Sequence, residues 1–290
     1  MAAGGGAPPP EARRSGGARG MGTAIVVAIA VITFLAGLGV GWFVFKAAPP
    51  RSTFVVGTNV PFPPFESYND TSGQFEGFDI DLSQLFANAM GRTLVVRNFN
   101  SFDLLLATVG QGGVDLAASG ITMSGPNGAN RNRTMSFSDS YYNANQGVIV
   151  RTADTTTCPN SRCTTQELGN KTIGVQSGTT SEGWVDQYIT PFDPNNATDI
   201  HRYASVITEL QDLRNNVFEF MIIDAAPAQA IVAGSGGALK FLGTIITNEL
   251  YGFAVKRGDS AGILPTVNSV LAQIKANGQY DALLVKWFGS

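Results

Sequence analysis

The chain has 290 residues, 44% hydrophobic and 14% charged, with a formal net charge of −3. That length supplies a large core in roughly two compact units. A mildly acidic body without a basic stripe argues against nucleic acid. A single histidine, His201, nearly excludes a His-based zinc site and leaves one candidate for a Ser-His-Asp base.

Residues 1–20 are mainly Gly, Ala, Pro and Arg and read as a disordered tail. Residues 21–45, MGTAIVVAIAVITFLAGLGVGWFVF, carry no charge. At about 1.5 Å per residue a helix of that length crosses a ~30 Å hydrocarbon layer. The apolar region of a cleaved signal peptide is shorter, about 7–15 residues. An uncleaved single-span anchor is therefore expected, with a removed signal as the alternative. Arg13, Arg14 and Arg19 precede the span, which puts the tail in the cytoplasm. Residues 46–52 form a short stiff linker. With Lys46 and Glu11 counted, residues 1–46 hold +3, which leaves −6 for the body.

The body is expected outside the membrane. Its two cysteines, Cys158 and Cys163 in CPNSRC, are spaced to close a small disulfide loop in an oxidising compartment. Half of a metal site is the rival reading, but no second half exists in the sequence. Sequons at Asn69, Asn132, Asn170 and Asn196 permit an external location.

In chain order, TFVVGT (53–58) reads as a buried strand, and NVPFPPFES (59–67) as a proline-fixed turn beyond its carboxyl end. Ligands of open α/β sheets sit there, so Asn59 and Phe62 are pocket candidates. Simple core packing is the alternative for Phe62. Residues 78–90 read as an amphipathic helix, with Asp79 and Asp81 in capping and surface roles rather than as an acid/base pair. A strand at 93–97 and a helix at 102–111 follow.

The next stretch, LAASGITMSGPNGANRNRTMSF (116–137), begins as a buried strand and breaks into small polar residues before Arg131. Bare backbone at Gly120, hydroxyls at Ser119 and Thr122 and a guanidinium suit an anion such as a carboxylate. A surface loop with an exposed arginine is the plain alternative. Residues 142–151 form a long strand leaving the first unit, and a helical turn follows at 164–168. A strand at 171–175 leads into QSGTTSEG, where a helix N-terminus offers free amides. A short strand at 199–203 holds His201 in an edge or packing role. A helix at 206–216 and a buried strand at 218–224 follow, ending in Asp224. That aspartate caps the helix at 225–233, is paired, or faces a ligand. A strand at 239–242, an extended run at 250–257 and two C-terminal helices split at Asn277–Gly278 complete the chain.

GTNVPFPPFES, EGFDIDL, ASGITMS with Arg131 and FSDSYY, IGVQSGTT, IIDAAPA, and YGFAVKRGD with IKANGQYDALLVKWFG occur in this order. Together they resemble the family 3 extracellular solute-binding proteins, the polar amino-acid receptors of ABC importers, over residues 53–289. The resemblance implies an α/β, two-lobed periplasmic-binding-protein-like fold (type II). Lobe one spans 53–146 plus 252–290, and lobe two spans 147–251. It implies that Arg131 clamps the ligand α-carboxylate, with Ser119, Gly120, Thr122, Thr179 and Thr180 around the zwitterion and Asp224 on the α-ammonium. Phe62 and Phe102 hold the side chain, and Asn59 and Gln176 read it. Six residues, Gly125 to Asn130, separate Ser124 from Arg131. The family pattern has fewer, so Arg133 is the second candidate. Basic-amino-acid receptors carry Asp at the position of Asn59, which favours a neutral polar amino acid such as glutamine.

The expected protein is thus a monomeric binding component of an importer, without cofactor or metal, partnered by membrane permease subunits. The rival functions are a ligand-sensing ectodomain and a dehydratase-like enzyme. The enzyme needs a carboxylic acid poised in the cleft beyond Asp224.

Overall fold

A computed structural model describes residues 52–191 and 199–289. The predicted tail, the predicted span and all of the linker but Ser52 lie outside the described residues. Among the described residues, no helix is long and apolar enough to cross a membrane.

The first sheet contains β1 (Thr53–Thr58), β4 (Thr93–Asn98), β5 (Leu116–Ala117), β6 (Met135–Phe137) and β12 (Ala254–Lys256), in the order β4-β1-β5-β12-β6. A hairpin, β2 (Ser67–Asn69) with β3 (Gln74–Glu76), precedes helix α1 (Phe78–Ala89). Parallel pairing of β1 with β4 and β5 requires crossovers, which α1 and α2 (Phe102–Gln111) supply. Successive residues of β1 face opposite sides. Phe54 and Val56 pack with Leu82 and Phe86 of α1, and Val55 packs on the side of Leu105 and Val109 of α2. Ser101 starts α2 by accepting from the Leu104 amide, and Gly112 ends it in the left-handed region. A short helix, α3 (Gly125–Arg131), follows β5.

The second sheet holds β7 (Tyr142–Arg151), β8 (Ile173–Gln176), β9 (Ile200–Tyr203), β10 (Phe220–Asp224) and β11 (Leu239–Tyr251), in the order β11-β7-β10-β8-β9. Helices α4 (Thr165–Leu168), α5 (Thr180–Tyr188), α6 (Val206–Arg214) and α7 (Ala225–Ala233) connect and cover these strands. Val148, Phe220 and Ile222 face Val185 of α5, while Ile149, Met221 and Ile223 face Leu213 of α6 and Ala228 of α7. The last helices, α8 (Leu264–Ala276) and α9 (Gln279–Phe288), return to the first sheet, where Lys286 and Trp287 bond Asp81 of α1. The chain thus enters the second lobe through β7 and leaves it through β11, and these two strands pair antiparallel.

Several expectations are corrected. Asp79 is not a cap or surface residue. The N-cap of α1 is Gly77, and the Asp79 side chain is fully buried. Asp81 does take the partly exposed role expected of it. The stretch after Ser124 is the helix α3 rather than an open loop, with Pro126 in its first turn. The short strand expected at 239–242 continues to Tyr251, with register shifts between Phe241 and Gly243 and between Ile245 and Glu249. Alternation fails where a bulge inserts residues, which hid this continuity in the sequence. His201 lies on the edge strand β9 and packs near Tyr203 and Phe218.

Cys158 and Cys163 form a disulfide, with an S–S distance of 2.09 Å. Both pack with Val150, Leu168 and Ile245. The loop it closes is small, so the entropy removed from the unfolded chain is modest. Replacing both cysteines by serine should cost about 1–3 kcal/mol in urea denaturation. An unchanged midpoint, or free thiols in the oxidised protein, would contradict this.

Candidate functional site

A narrow cavity with about 20 Å³ of free space, room for about one water, lies between the two sheets. The first lobe lines it with Asn59, Phe62, Phe102, Ser119, Gly120, Thr122 and Arg131, and the second with Gln176, Thr179, Thr180 and Asp224. Every residue singled out for a ligand except the alternative Arg133 thus faces one space. Most follow from strand direction. Asn59 comes just after β1, Ser119 just after β5, and Gln176 and Asp224 end β8 and β10.

Arg131 is buried at the last residue of α3. Its guanidinium donates to Thr122 O at 2.8 Å and across the cleft to Gly178 O at 2.9 Å, and it lies over the Phe102 ring at 5.3 Å. Burial lowers its pKa to about 10, against the pull of Glu249 and Asp224, so it stays cationic at neutral pH. Arg133 is exposed, which separates the two arginines. The residues between Ser124 and Arg131 are spent on the turns of α3, and these bring the guanidinium to the cleft.

Asp224 precedes α7 but its side chain makes no capping bond. Oδ1 instead accepts from Gln146 Nε2 at 3.0 Å. The same Nε2 lies 2.8 Å from Glu249 Oε1 and 3.1 Å from Thr180 Oγ1, so two protons serve three acceptors. Glu249 also accepts from Thr122 Oγ1 at 2.7 Å. Burial, then the charge of Glu249, raises the Asp224 carboxyl well above its ordinary pKa. A cation placed between these acids would reverse that shift.

At the other end, Gln176 Nε2 donates to Asn59 Oδ1 at 2.8 Å and to Ala204 O at 3.1 Å, and Asn59 Nδ2 donates to Phe99 O at 2.7 Å. The Asn59–Gln176 bond and the Arg131–Gly178 bond join the two lobes directly. Gly178 permits the approach. It has φ +77°, and a Cβ there would lie 2.0 Å from Asp103 Oδ1 of the facing lobe. Thr179 caps α5 by accepting from the Glu182 amide at 3.2 Å and donates to Gln176 O at 2.6 Å.

Residues 54–290 match the model of the bacterial extracellular solute-binding proteins, family 3. The chain belongs to that family.

Among relatives of this family 3 protein, a probable histidine-binding protein of Neisseria gonorrhoeae is 29% identical over 83% of this chain and 85% of its own. The L-cystine-binding protein TcyJ of Escherichia coli strain K12 is 24% identical over 93% and 97%. A solved structure of an ancestral arginine-binding protein bound to glutamine superposes with a TM-score of 0.72, at 28% identity over 83% of this chain and 99% of that one. The two-lobed fold is common to such structures, and these relatives are binding proteins rather than enzymes.

Sequence reasoning missed three polar residues of this solute-binding protein: Gln146, Glu249 and Glu66. Gln146 and Glu249 sit on the crossing strands. The bulge before Glu249 is held by Asn145 Oδ1, which accepts from the amides of Thr247 and Asn248 at 2.9 Å each. Gln146 shares the buried face of β7 with Ala144 and Val148, and that alternation was the one available signal. Gly120 is required by its backbone. Its φ is +53°, and a Cβ would lie 2.6 Å from Phe62 Cε1. Gly120→Ala should therefore destabilise the protein by about 1–3 kcal/mol, read from its denaturant midpoint. No loss of stability would contradict the placement of Phe62 against this turn.

Proposed function

We propose that this protein is the extracytoplasmic substrate-binding component of an amino-acid ABC importer. It takes a neutral polar L-amino acid, glutamine first, in the cleft between a lobe of residues 53–146 plus 252–290 and a lobe of residues 147–251. Residues 21–45 anchor it as a single-pass, monomeric membrane protein beside its permease subunits.

The observation that carries this reading is the pairing of one buried guanidinium with buried acids across a small cavity. A zwitterion supplies the two charges the site lacks. Its carboxylate meets Arg131, with Ser119, Gly120, Thr122, Thr179 and Thr180 around it, and its ammonium meets Asp224. Phe62 and Phe102 border the side chain. Both donors of Gln176 are committed to Asn59 and Ala204, which leaves its carbonyl oxygen to accept from the ligand. A side-chain amide provides that donor without adding charge. The ancestral structure holding glutamine supports this choice.

Glu249 favours a second reading, a cationic amino acid. With Asp224 it gives the site one more acid than base, and a cationic side chain would restore balance. The names of the histidine- and arginine-binding relatives agree with that alternative.

Calorimetry with L-glutamine, L-arginine and L-glutamate separates the readings. Glutamine should bind tightest, and tighter arginine binding would select the second reading. Arg131→Ala should cost about 3–5 kcal/mol, at least about a hundredfold in affinity. Normal binding by that variant would refute the clamp. Asn59→Asp should shift preference toward arginine.

A further inference from the structure

Beneath the Ser119–Gly120 floor of the cavity lie two carboxyl groups that do not line it, Glu66 and Asp79, both fully buried. Each sends one oxygen to the floor. Glu66 Oε1 accepts from Ser119 Oγ at 2.5 Å. Asp79 Oδ2 accepts from the Gly120 amide at 3.1 Å and from the Tyr141 hydroxyl at 2.8 Å. Their other oxygens, Glu66 Oε2 and Asp79 Oδ1, are buried and have no donor among the described residues. The backbone draws the pair together, because the Asp79 amide donates to Phe65 O at 2.9 Å, next to Glu66.

One orphaned carboxylate oxygen is costly in a dry interior, and two such charges side by side are more so. Hydrogen bonds from Ser119, Gly120 and Tyr141 reach only one oxygen of each acid, and the titratable groups facing the pair bring no positive charge. Tyr141 lies against Asp79, Asp224 acts on Glu66 from the cleft, and Tyr280 of α9 lies near Asp79. All are acids or phenols. The ligand-facing arginine is placed on the far side of the Ser119–Gly120 floor, bonded to Thr122 and Gly178. A proton on one of the orphaned oxygens removes one of the two charges and with it their repulsion.

We propose that Glu66 and Asp79 share a single proton between Oε2 and Oδ1, and that this acid pair fixes the Ser119–Gly120 backbone that floors the cavity. Its effect on binding rests on the amino-acid site proposed above, whereas the shared proton does not. Burial is the main cause raising both groups, with Asp79 adding to Glu66, and Asp79 itself is raised to about 7. The sign follows. The folded pair keeps its proton where unfolded carboxyls, with pKa values of about 4, have lost theirs. Stability therefore falls as pH rises from about 4 to about 7 and levels off above that. Once the second charge forms, repulsion moves the two acids apart and the floor with them, so binding weakens as well.

The test uses the full chain, with Glu66→Gln and Asp79→Asn as variants. Each amide keeps the acceptor for the floor and places an N–H where the shared proton would lie. Infrared spectra of the wild-type chain, with isotope-labelled aspartate and glutamate, should show a protonated-carboxyl stretch at neutral pH assignable to this pair. Either variant should lose that band. The wild-type Tm should fall between about pH 4 and about pH 7, and the Glu66→Gln chain should show a flatter slope over the same range. With L-glutamine and L-arginine as probes, wild-type Kd should rise about tenfold or more over the next pH unit or two, and the variant should hold its affinity. A wild-type spectrum without the band overturns the proposal even if neither variant folds. Identical Tm slopes in wild type and variant overturn it too. If neither probe binds, the amino-acid reading fails, while the band and the Tm slope still decide the proton.

Discussion

The structure depends on a buried guanidinium that is held by both lobes at once. Arg131 bonds the Thr122 carbonyl of its own lobe and the Gly178 carbonyl of the other. Two carbonyl oxygens take two of its five N–H groups but leave its charge unneutralised in a low-dielectric space, and the acids that act on it, Glu249, Asp224 and Asp103, do so through space. A closed cleft of this kind is strained by charge until something anionic meets the arginine and something cationic meets the acids. Under the proposed function, closure and ligand binding are therefore one event, because the ligand relieves the charges that closure buries.

The remaining architecture supplies rigidity to that event. Parallel strands deliver Asn59, Ser119 and Gln176 at their carboxyl ends, so the polar groups are fixed by two cores and not by long loops. The crossing strands β7 and β11 have a double role. They connect the lobes, and through Gln146 and Glu249 they tie the crossing to Asp224, Thr180 and Thr122 of the cavity wall. Any hinge motion in these strands is thereby felt at the residues facing the ligand. The acid pair under Ser119 and Gly120 adds a further constraint, since it fixes the floor from below.

Much of this was legible in the sequence. The apolar runs of 53–58 and 218–224 and the extended run of 142–151 gave the central strands, and the small polar stretch after Leu116 gave the cavity wall. The illegible parts share a physical cause. Asp79 sits three residues after a glutamate in a helix start, where an aspartate ordinarily caps, and only tertiary contact with Gly120 and Tyr141 shows it buried. Glu249 follows a β-bulge, which breaks the alternation that would have marked it as inward-facing. Helix α3 is built from Gly, Pro and Asn, residues of poor helix propensity, and is held by its place between β5 and β6 instead. Local pattern carries no information about such long-range partners.

The central claim is that Arg131 recognises a ligand carboxylate. Calorimetry comparing L-glutamine with its α-carboxamide, in which that carboxylate is replaced by a neutral amide, tests it most directly. The account predicts that the α-carboxamide loses at least about a hundredfold in affinity, because the guanidinium then stays unpaired in the closed cleft. Equal affinity for the two compounds would contradict it.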